Sequence, residues 1–180
     1  MLGQAVESHL GIQQDIMRRA LLLSLVAAAC SQRVKSAAPT LDGAGPVRFG
    51  MTAADAVKAL DQAGISHDGS ASDCGYLTAR IGGVSLPFMV DDGRVVRVDI
   101  RSDSVSAPSG ARVGMSEDSL QQLYSRSLVV RPHKYTEGHY LIYVSPQDTL
   151  RRLVFETDGR LVTEWRAGLY PQVEYVEGCS

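Results

Sequence analysis

Apolar residues at every second position predict β-strands in two separate parts of the chain. Turns that contain glycine separate several of these stretches, so we expect antiparallel hairpins in both parts. The predicted strands are residues 76–81, 84–90 and 94–100 in the first part, and residues 139–144, 150–156, 161–167 and 173–176 in the second.

Each part also begins with a predicted helix. Thr52 and Ser116 are suitable N-cap residues, because a hydroxyl oxygen can accept a hydrogen bond from a free backbone N–H group. Apolar residues follow both N-caps at helical spacing. Gly64 is positioned to end the first helix.

The two parts are related by an internal repeat. The segment Gly50-Met51-Thr52 recurs as Gly114-Met115-Ser116, and an Asp-Gly pair follows each segment at almost the same distance. Two landmarks at matched spacing indicate a duplicated unit. We therefore predict an α+β fold of two tandem repeats, each with one helix packed on a three-stranded antiparallel sheet. The strands would form two sheets or one continuous sheet.

The N-terminal region has the three parts of a secretory signal. Arg18 and Arg19 precede an apolar run, residues 20–29, which is too short to cross the ~30 Å hydrocarbon core of a bilayer. Cys30 follows three alanines, and this sequence resembles a bacterial lipobox, whose cysteine is lipidated and becomes the new N-terminus. The other interpretation is an ordinary cleaved signal with a chance cysteine. By resemblance to Gram-negative lipoproteins, Ser31 favours export to the outer membrane, with the protein on its periplasmic face.

These features divide the chain into segments. Residues 1–16 have no role in a signal, so we expect translation to start at Met17. Residues 17–29 are the predicted signal peptide, and residues 30–45 are the lipidated cysteine and a flexible tether. The rest is the predicted globular domain, residues 46–180, with repeat one at 46–104 and repeat two at 110–180.

Composition and cysteine content narrow the class of protein. Hydrophobic residues make up 44% and charged residues 21%, which is typical of a soluble globular domain. The formal net charge of -2 provides no basic field, so we expect no nucleic-acid partner. Two cysteines remain after Cys30, and in an exported domain they favour a disulfide between Cys74 and Cys179. Two buried free thiols are the alternative.

A known family resembles this arrangement. The Gly-Met-Thr/Ser helix starts, followed by antiparallel strands on a lipoprotein, resemble the small SmpA/OmlA-like (BamE-type) outer-membrane lipoproteins. The doubled unit resembles the beta-lactamase inhibitory protein, a tandem of the same module. The resemblance covers residues 47–167, and its specific part is limited to residues 49–52 and 113–116. Both families act through protein–protein contact, so the resemblance implies an assembly factor or inhibitor and assigns no partner-binding residue.

One stretch combines imidazole, aromatic and charged side chains, and loops of this kind often bind ligands. The candidate binding residues are His133, Tyr135, His139 and Tyr140 in this stretch, and Trp165 farther on. Trp165 is a candidate because aromatic residues anchor partners or stack on sugars. A hydrated hairpin loop and a tryptophan in the core are the alternatives. His133, His139 and Glu137 lack a further ligand at a diagnostic spacing, so we predict no metal and no cofactor.

Arginines alternate with carboxylates along the predicted strands, which predicts a solvated, charged sheet face. These arginines are Arg94, Arg97, Arg101, Arg151, Arg152, Arg160 and Arg166.

Catalytic motifs are missing from the sequence. It has no Gly-x-Ser-x-Gly elbow, no His-Glu-x-x-His segment and no phosphate-binding loop. We therefore expect a protein that is not an enzyme, and an enzyme built from dispersed residues is the alternative. The expected function is binding of an unidentified protein by a lipid-anchored domain. The alternative is lectin-like binding of envelope glycans through Tyr135, Tyr140 and Trp165.

Overall fold

A computed structural model describes residues 38–69 and 73–179. The predicted extension at residues 1–16, the signal peptide at 17–29 and the lipidation site Cys30 lie outside the described residues. Gly43–Ala44 (β1) pairs with Val47–Arg48 (β2), so the last residues of the predicted tether, 30–45, belong to the folded domain.

Eight further strands form one antiparallel sheet. They are β3 (His67–Asp68), β4 (Cys74–Ile81), β5 (Val84–Asp91), β6 (Arg94–Ile100), β7 (Val129–Pro132), β8 (His139–Val144), β9 (Arg151–Thr157) and β10 (Val162–Leu169). Their order across the sheet is β3-β4-β5-β6-β10-β9-β8-β7. The two parts of the chain therefore meet at the centre, where β6 pairs with β10.

Two α-helices begin at the predicted N-caps. In α1 (Ala53–Gln62), the Thr52 hydroxyl accepts a hydrogen bond from the Asp55 N–H, and Gly64 follows the helix with a positive φ of 65°. In α2 (Glu117–Leu123), the Ser116 hydroxyl accepts from the Ser119 N–H. A 3₁₀ turn, Gln172–Glu174, lies near the C-terminus.

The repeated sequence produces matching contacts at the two helix starts. Gly50 donates its N–H to the carbonyl oxygen of Val95 at 2.7 Å, and Gly114 donates to that of Val162 at 2.8 Å. In each part, these bonds attach the segment before the helix to the last long strand.

The predicted fold class is nevertheless wrong. The structure is mostly β, and the strands do not form two three-stranded sheets, each under its own helix. Each part contributes four strands to a shared sheet, because the short strands β3 and β7 extend it at its two edges. The helices also differ in packing: α1 buries three residues, whereas α2 buries only Leu120.

The main hydrophobic core lies on one face of the sheet. Leu77, Phe88 and Val98 contribute from the first part, and Phe155 and Trp165 from the second. Helix α1 adds Leu60, which is fully buried. Burial of this continuous apolar face provides most of the driving force for folding.

The C-terminal segment covers part of the opposite face. We call residues 170–179 the C-terminal strap. Val173 packs there in a separate small cluster with Tyr140, Ile142 and Val154. The short strand predicted at residues 173–176 is wrong, because residues 172–174 form the 3₁₀ turn. The predicted disulfide is confirmed, since Cys179 at the end of the strap is bonded to Cys74 at the start of β4.

Candidate functional site

Among the described strands, β7 forms one edge of the sheet and pairs with β8 alone. All four of its residues are exposed, including Val129 and Val130 at 46% and 45%. Valines at adjacent positions of a strand point to opposite faces, so apolar surface is exposed on both sides of this edge. Sequence analysis did not predict β7, because Val129 and Val130 are too few to show an alternating pattern.

The register of the β7–β8 hairpin determines which backbone groups face outward. His133 donates its N–H to the Gly138 carbonyl oxygen at 2.9 Å, and Pro132 is the next residue, paired with His139. Hydrogen-bonded and non-hydrogen-bonded pairs alternate along an antiparallel ladder. The N–H and C=O groups of Val130 therefore point away from β8. Among the described residues, no strand pairs with this side of β7.

The loop between β7 and β8 holds two of the candidate residues close together. The His133 ring stacks on the Tyr140 ring with centroids 4.5 Å apart, and its Nε2 lies 3.3 Å from Glu156 Oε2. His133 Nδ1 accepts hydrogen bonds from the backbone N–H groups of Tyr135 and Thr136. His133 therefore organises the loop and is not free to bind a ligand.

Tyr135 is the exposed residue of this loop, at 61%. Its hydroxyl donates a hydrogen bond to the Glu177 carboxylate, which also pairs with Lys134 at 2.6 Å. The Lys134 ammonium and then the Tyr135 hydroxyl lower the pKa of Glu177, and the Glu177 carboxylate is the largest cause of the raised pKa of Lys134. The loop thus contacts the strap through polar side chains. Burial, in contrast, raises the pKa of Tyr140, which lies beneath the loop.

The structure does not bring His139 to the same place as His133. His139 Nδ1 lies 3.1 Å from a carboxylate oxygen of Glu117 in α2, whereas His133 contacts Glu156 in β9. The two imidazoles thus face different carboxylates. Within residues 38–69 and 73–179, no three His, Cys, Asp or Glu side chains are grouped so that they could hold a metal ion.

Trp165 does not contribute to a binding surface. It is completely buried in the main core against Phe155, and its Nε1 donates a hydrogen bond to the Val105 carbonyl oxygen at 3.4 Å. The alternation in β10 directs Trp165 to the core face. Because the indole is inaccessible to solvent, it cannot stack on a sugar ring in this conformation.

The prediction of a solvated arginine face is wrong at two positions. Arg97 and Arg166 are only 3% and 1% exposed because the strap lies over them. Arg97 Nη1 donates to the carbonyl oxygens of Gln172 and Tyr175, at 3.1 and 2.7 Å. Arg166 Nε donates to that of Val173 at 2.7 Å.

Carboxylates complete this buried polar cluster. Arg166 Nη1 lies 2.6 Å from Glu156 Oε1, and Arg97 Nε lies 3.0 Å from Asp99 Oδ1. Burial raises the pKa of Asp99, and the neighbouring positive charges of Arg97 and Arg166 oppose that rise. Sequence alone gave no signal for this cluster, because its burial depends on the returning strap.

A shallow depression lies near the opposite edge of the sheet. It has a volume of about 170 Å³ and is lined by Ser66, His67, Asp68, Thr78, Arg80 and Ser85. Arg80 and Asp68 oppose each other in charge, so the depression has no evident preference for an anion or a cation. Sequence analysis did not identify it.

No known protein family, curated protein or solved structure matches this chain. The resemblance to the SmpA/OmlA-like lipoproteins and to the beta-lactamase inhibitory protein therefore stays a prediction. The part of the chain that the structure describes contains no helix long and apolar enough to cross a membrane.

Proposed function

We propose that this protein is a lipoprotein anchored through Cys30 to the periplasmic face of the outer membrane, where it binds another protein. The docking element is the free edge of β7, residues 129–132. An extended segment of the partner adds a ninth strand to the sheet at this edge. The protein acts through this contact and not as an enzyme.

The outward-facing backbone of β7 carries this proposal. The N–H and C=O groups of Val130 are available to a new strand, and natural proteins usually protect such an edge against pairing. Pro132 protects only the C-terminal end of β7. At the N-terminal end, Val129 and Val130 leave apolar surface on both faces of the sheet. A partner strand would satisfy the backbone groups and cover both valines.

Charge indicates what the partner segment contains. Residues 126–134 include Arg126, Arg131 and Lys134 and no carboxylate. Arg126 is exposed, and the Arg131 and Lys134 side chains remain 55% and 54% exposed although they pair with Glu174 and Glu177 of the strap. We therefore infer an extended segment with aliphatic residues at its centre and Asp or Glu at its ends, since opposite charges favour the correct register.

A proline substitution tests the pairing directly. Val130→Pro removes the outward N–H but none of the β7–β8 hydrogen bonds, and proline is tolerated when the missing N–H faces solvent. Val130→Thr is the matched control, because it keeps both the N–H and the branched side chain. A photo-crosslinking amino acid at Val129, in cells that produce the full chain, reports on contact.

We expect a single partner protein to crosslink. The crosslinked peptide should come from an extended segment of that partner with Asp or Glu at its ends. The crosslinking yield should fall about tenfold or more in Val130→Pro, because this variant loses a central hydrogen bond to the partner strand and with it the register. The yield should be retained in Val130→Thr. Equal yields from the two variants would reject pairing at β7. Binding to a glycan array without any protein crosslink would reject the protein-binding function.

The anchor has its own test. In cells fed a labelled fatty acid, the original protein should incorporate the label and the Cys30→Ser variant should not. Labelling of Cys30→Ser at the original level would reject lipidation at this residue. This measurement does not depend on the outcome at β7.

A further inference from the structure

The C-terminal strap connects distant parts of the sheet. Its carbonyl groups accept hydrogen bonds from Arg97 of β6 and Arg166 of β10. Its Glu174 contacts Arg131 of β7 and Arg152 of β9. The strap thus crosses the second face of the sheet, and the disulfide fixes its far end to β4.

The main core does not depend on the strap. The large apolar cluster lies on the other face of the sheet and contains no strap residue, whereas Val173 belongs to a separate cluster of only four buried residues. Val176 packs at the border of that small cluster, and the Tyr170 ring lies 3.9 Å from the Arg152 guanidinium. Most of the other strap contacts are hydrogen bonds and ion pairs, and several of these lie at the surface. Segments with few buried apolar contacts open at a lower free-energy cost than the whole domain.

The disulfide lies partly at the surface, with its more exposed side at Cys74, whereas Cys179 Sγ lies 3.6 Å from the carbonyl oxygens of Gly75 and Val90. Cys74 is exposed at the start of β4, and Cys179 is partly exposed near the end of the chain. Attack on a disulfide requires access to a sulfur atom, and exposed disulfides are the ones that exchange readily. Most structural disulfides in exported proteins instead resist reduction.

We propose that the Cys74–Cys179 disulfide is a redox-sensitive latch and that a dithiol opens it. One thiolate of the dithiol attacks a sulfur of the disulfide and forms a mixed disulfide, releasing one cysteine as a thiolate. The second thiol of the dithiol then displaces the other cysteine. Two electrons and two protons pass to the protein, giving Cys74 and Cys179 as thiols and the dithiol as its own disulfide.

Opening the latch exposes the two buried guanidinium groups. Without its covalent end point, the strap is held over Arg97 and Arg166 by non-covalent contacts alone. In the oxidised protein, the disulfide tethers the end of the strap and keeps the local concentration of the strap high at this face. Reduction removes this tether and so weakens the closed position. Reduction therefore converts a covered face into one that exposes Arg97 and Arg166, together with their paired carboxylates, to solvent.

Hydrogen exchange and arginine labelling test this inference on the mature protein. The oxidised protein is compared with protein reduced by dithiothreitol and with the double variant Cys74→Ser/Cys179→Ser. Backbone exchange is followed in residues 172–178 and, as an internal control, in β5 and β9. Phenylglyoxal labelling is measured at Arg97 and Arg166, with exposed Arg112 as the labelling control.

On opening, residues 172–178 should exchange about tenfold faster or more, while β5 and β9 keep their protection. Labelling of Arg97 and Arg166 should rise by a similar factor, and labelling of Arg112 should not change. Unchanged protection of the strap would overturn the proposal. Loss of protection in β5 and β9 would also overturn it, because the disulfide would then support the whole fold.

Discussion

Asp99 of β6 and Arg166 of β10 are directly paired across the junction where the two parts of the sheet meet. Both are buried. Asp99 Oδ1 lies 3.0 Å from Arg97 Nε but without hydrogen-bond geometry, and Arg166 Nη2 has no hydrogen-bond partner among the described residues. Unsatisfied buried polar atoms are costly, so this pair contributes less to stability than its opposite charges suggest.

The raised pKa of Asp99 predicts how stability depends on pH. Burial is the largest cause of the rise above 3.8, so the folded state holds this proton more tightly than the unfolded state. The stability that Asp99 contributes is therefore full below the unfolded pKa and is lost as the pH rises through the native pKa. Asp99→Asn, which cannot ionise, should gain stability relative to the original protein as the pH rises.

Urea unfolding from about pH 3 to about pH 7 measures this difference. Asp158→Asn is the matched control with the opposite sign, because backbone hydrogen bonds from Leu161 and Arg160 lower the pKa of Asp158. The original protein should gain stability relative to Asp158→Asn as the pH rises. If the original protein also gained stability relative to Asp99→Asn as the pH rises, this result would contradict the argument that burial raises the pKa of Asp99.

The buried arginine of β10 should be necessary for folding stability. Arg166→Met leaves Glu156 and Glu164 without their buried positive partner, and removal of one member of a buried pair costs about 3–5 kcal/mol. The double variant Arg166→Met/Glu156→Gln should lose less than the sum of the two single losses. Equilibrium denaturation of all three variants gives the comparison.

An exposed arginine is the control for that experiment. Arg101 pairs with the same Glu164 at 2.7 Å, but its side chain is 79% exposed. Arg101→Met should therefore change the free energy of unfolding by less than about 1 kcal/mol. Equal effects at positions 101 and 166 would show that the strap does not exclude water from Arg166.

The single tryptophan permits a fluorescence test of burial. Since Trp165 is enclosed in the main core, iodide should quench its emission very little in the folded protein and strongly after unfolding in urea. Trp165→Ala should lower the free energy of unfolding by about 3–5 kcal/mol. Strong quenching of the folded protein would place the indole at the surface and restore it as a sugar-stacking candidate.

The two helix caps should differ in their effect on global stability. Thr52→Ala removes the cap of α1, which packs into the core through three residues, and should cost about 1 kcal/mol. Ser116→Ala removes a similar bond from α2, but α2 buries only Leu120 and can unfold locally. We therefore expect a smaller shift in the urea midpoint for Ser116→Ala. A larger shift for Ser116→Ala would contradict this assignment.

Local sequence patterns predict the long strands well and the short strands at the two edges of the sheet poorly. The predicted bounds of β6 and β8 are confirmed, and a glycine, Gly93 or Gly138, immediately precedes each of these strands. Alternation fails within β6, where a bulge gives the core position to Val95 instead of Val96. A bulge depends on the neighbouring strand, and a single-strand pattern does not reveal it.

The candidate site was less predictable than the fold. Tyr135 is exposed in the hairpin loop and Trp165 is in the core, which are the alternatives that the sequence leaves open, and the Val130 edge has no local pattern. Burial of Arg97 and Arg166 results from contacts with residues 75 and 7 positions away, which no periodicity encodes.

The sheet order also has a consequence for how the chain folds. Short turns join β4, β5 and β6 to one another, and likewise β8, β9 and β10, whereas Ile100 and Trp165 at the central junction are far apart in sequence. Closing that long loop carries the larger entropic cost, and contacts of this kind slow folding. We therefore expect the hairpins on either side to form early and the pairing of β6 with β10 to be the slow step of folding.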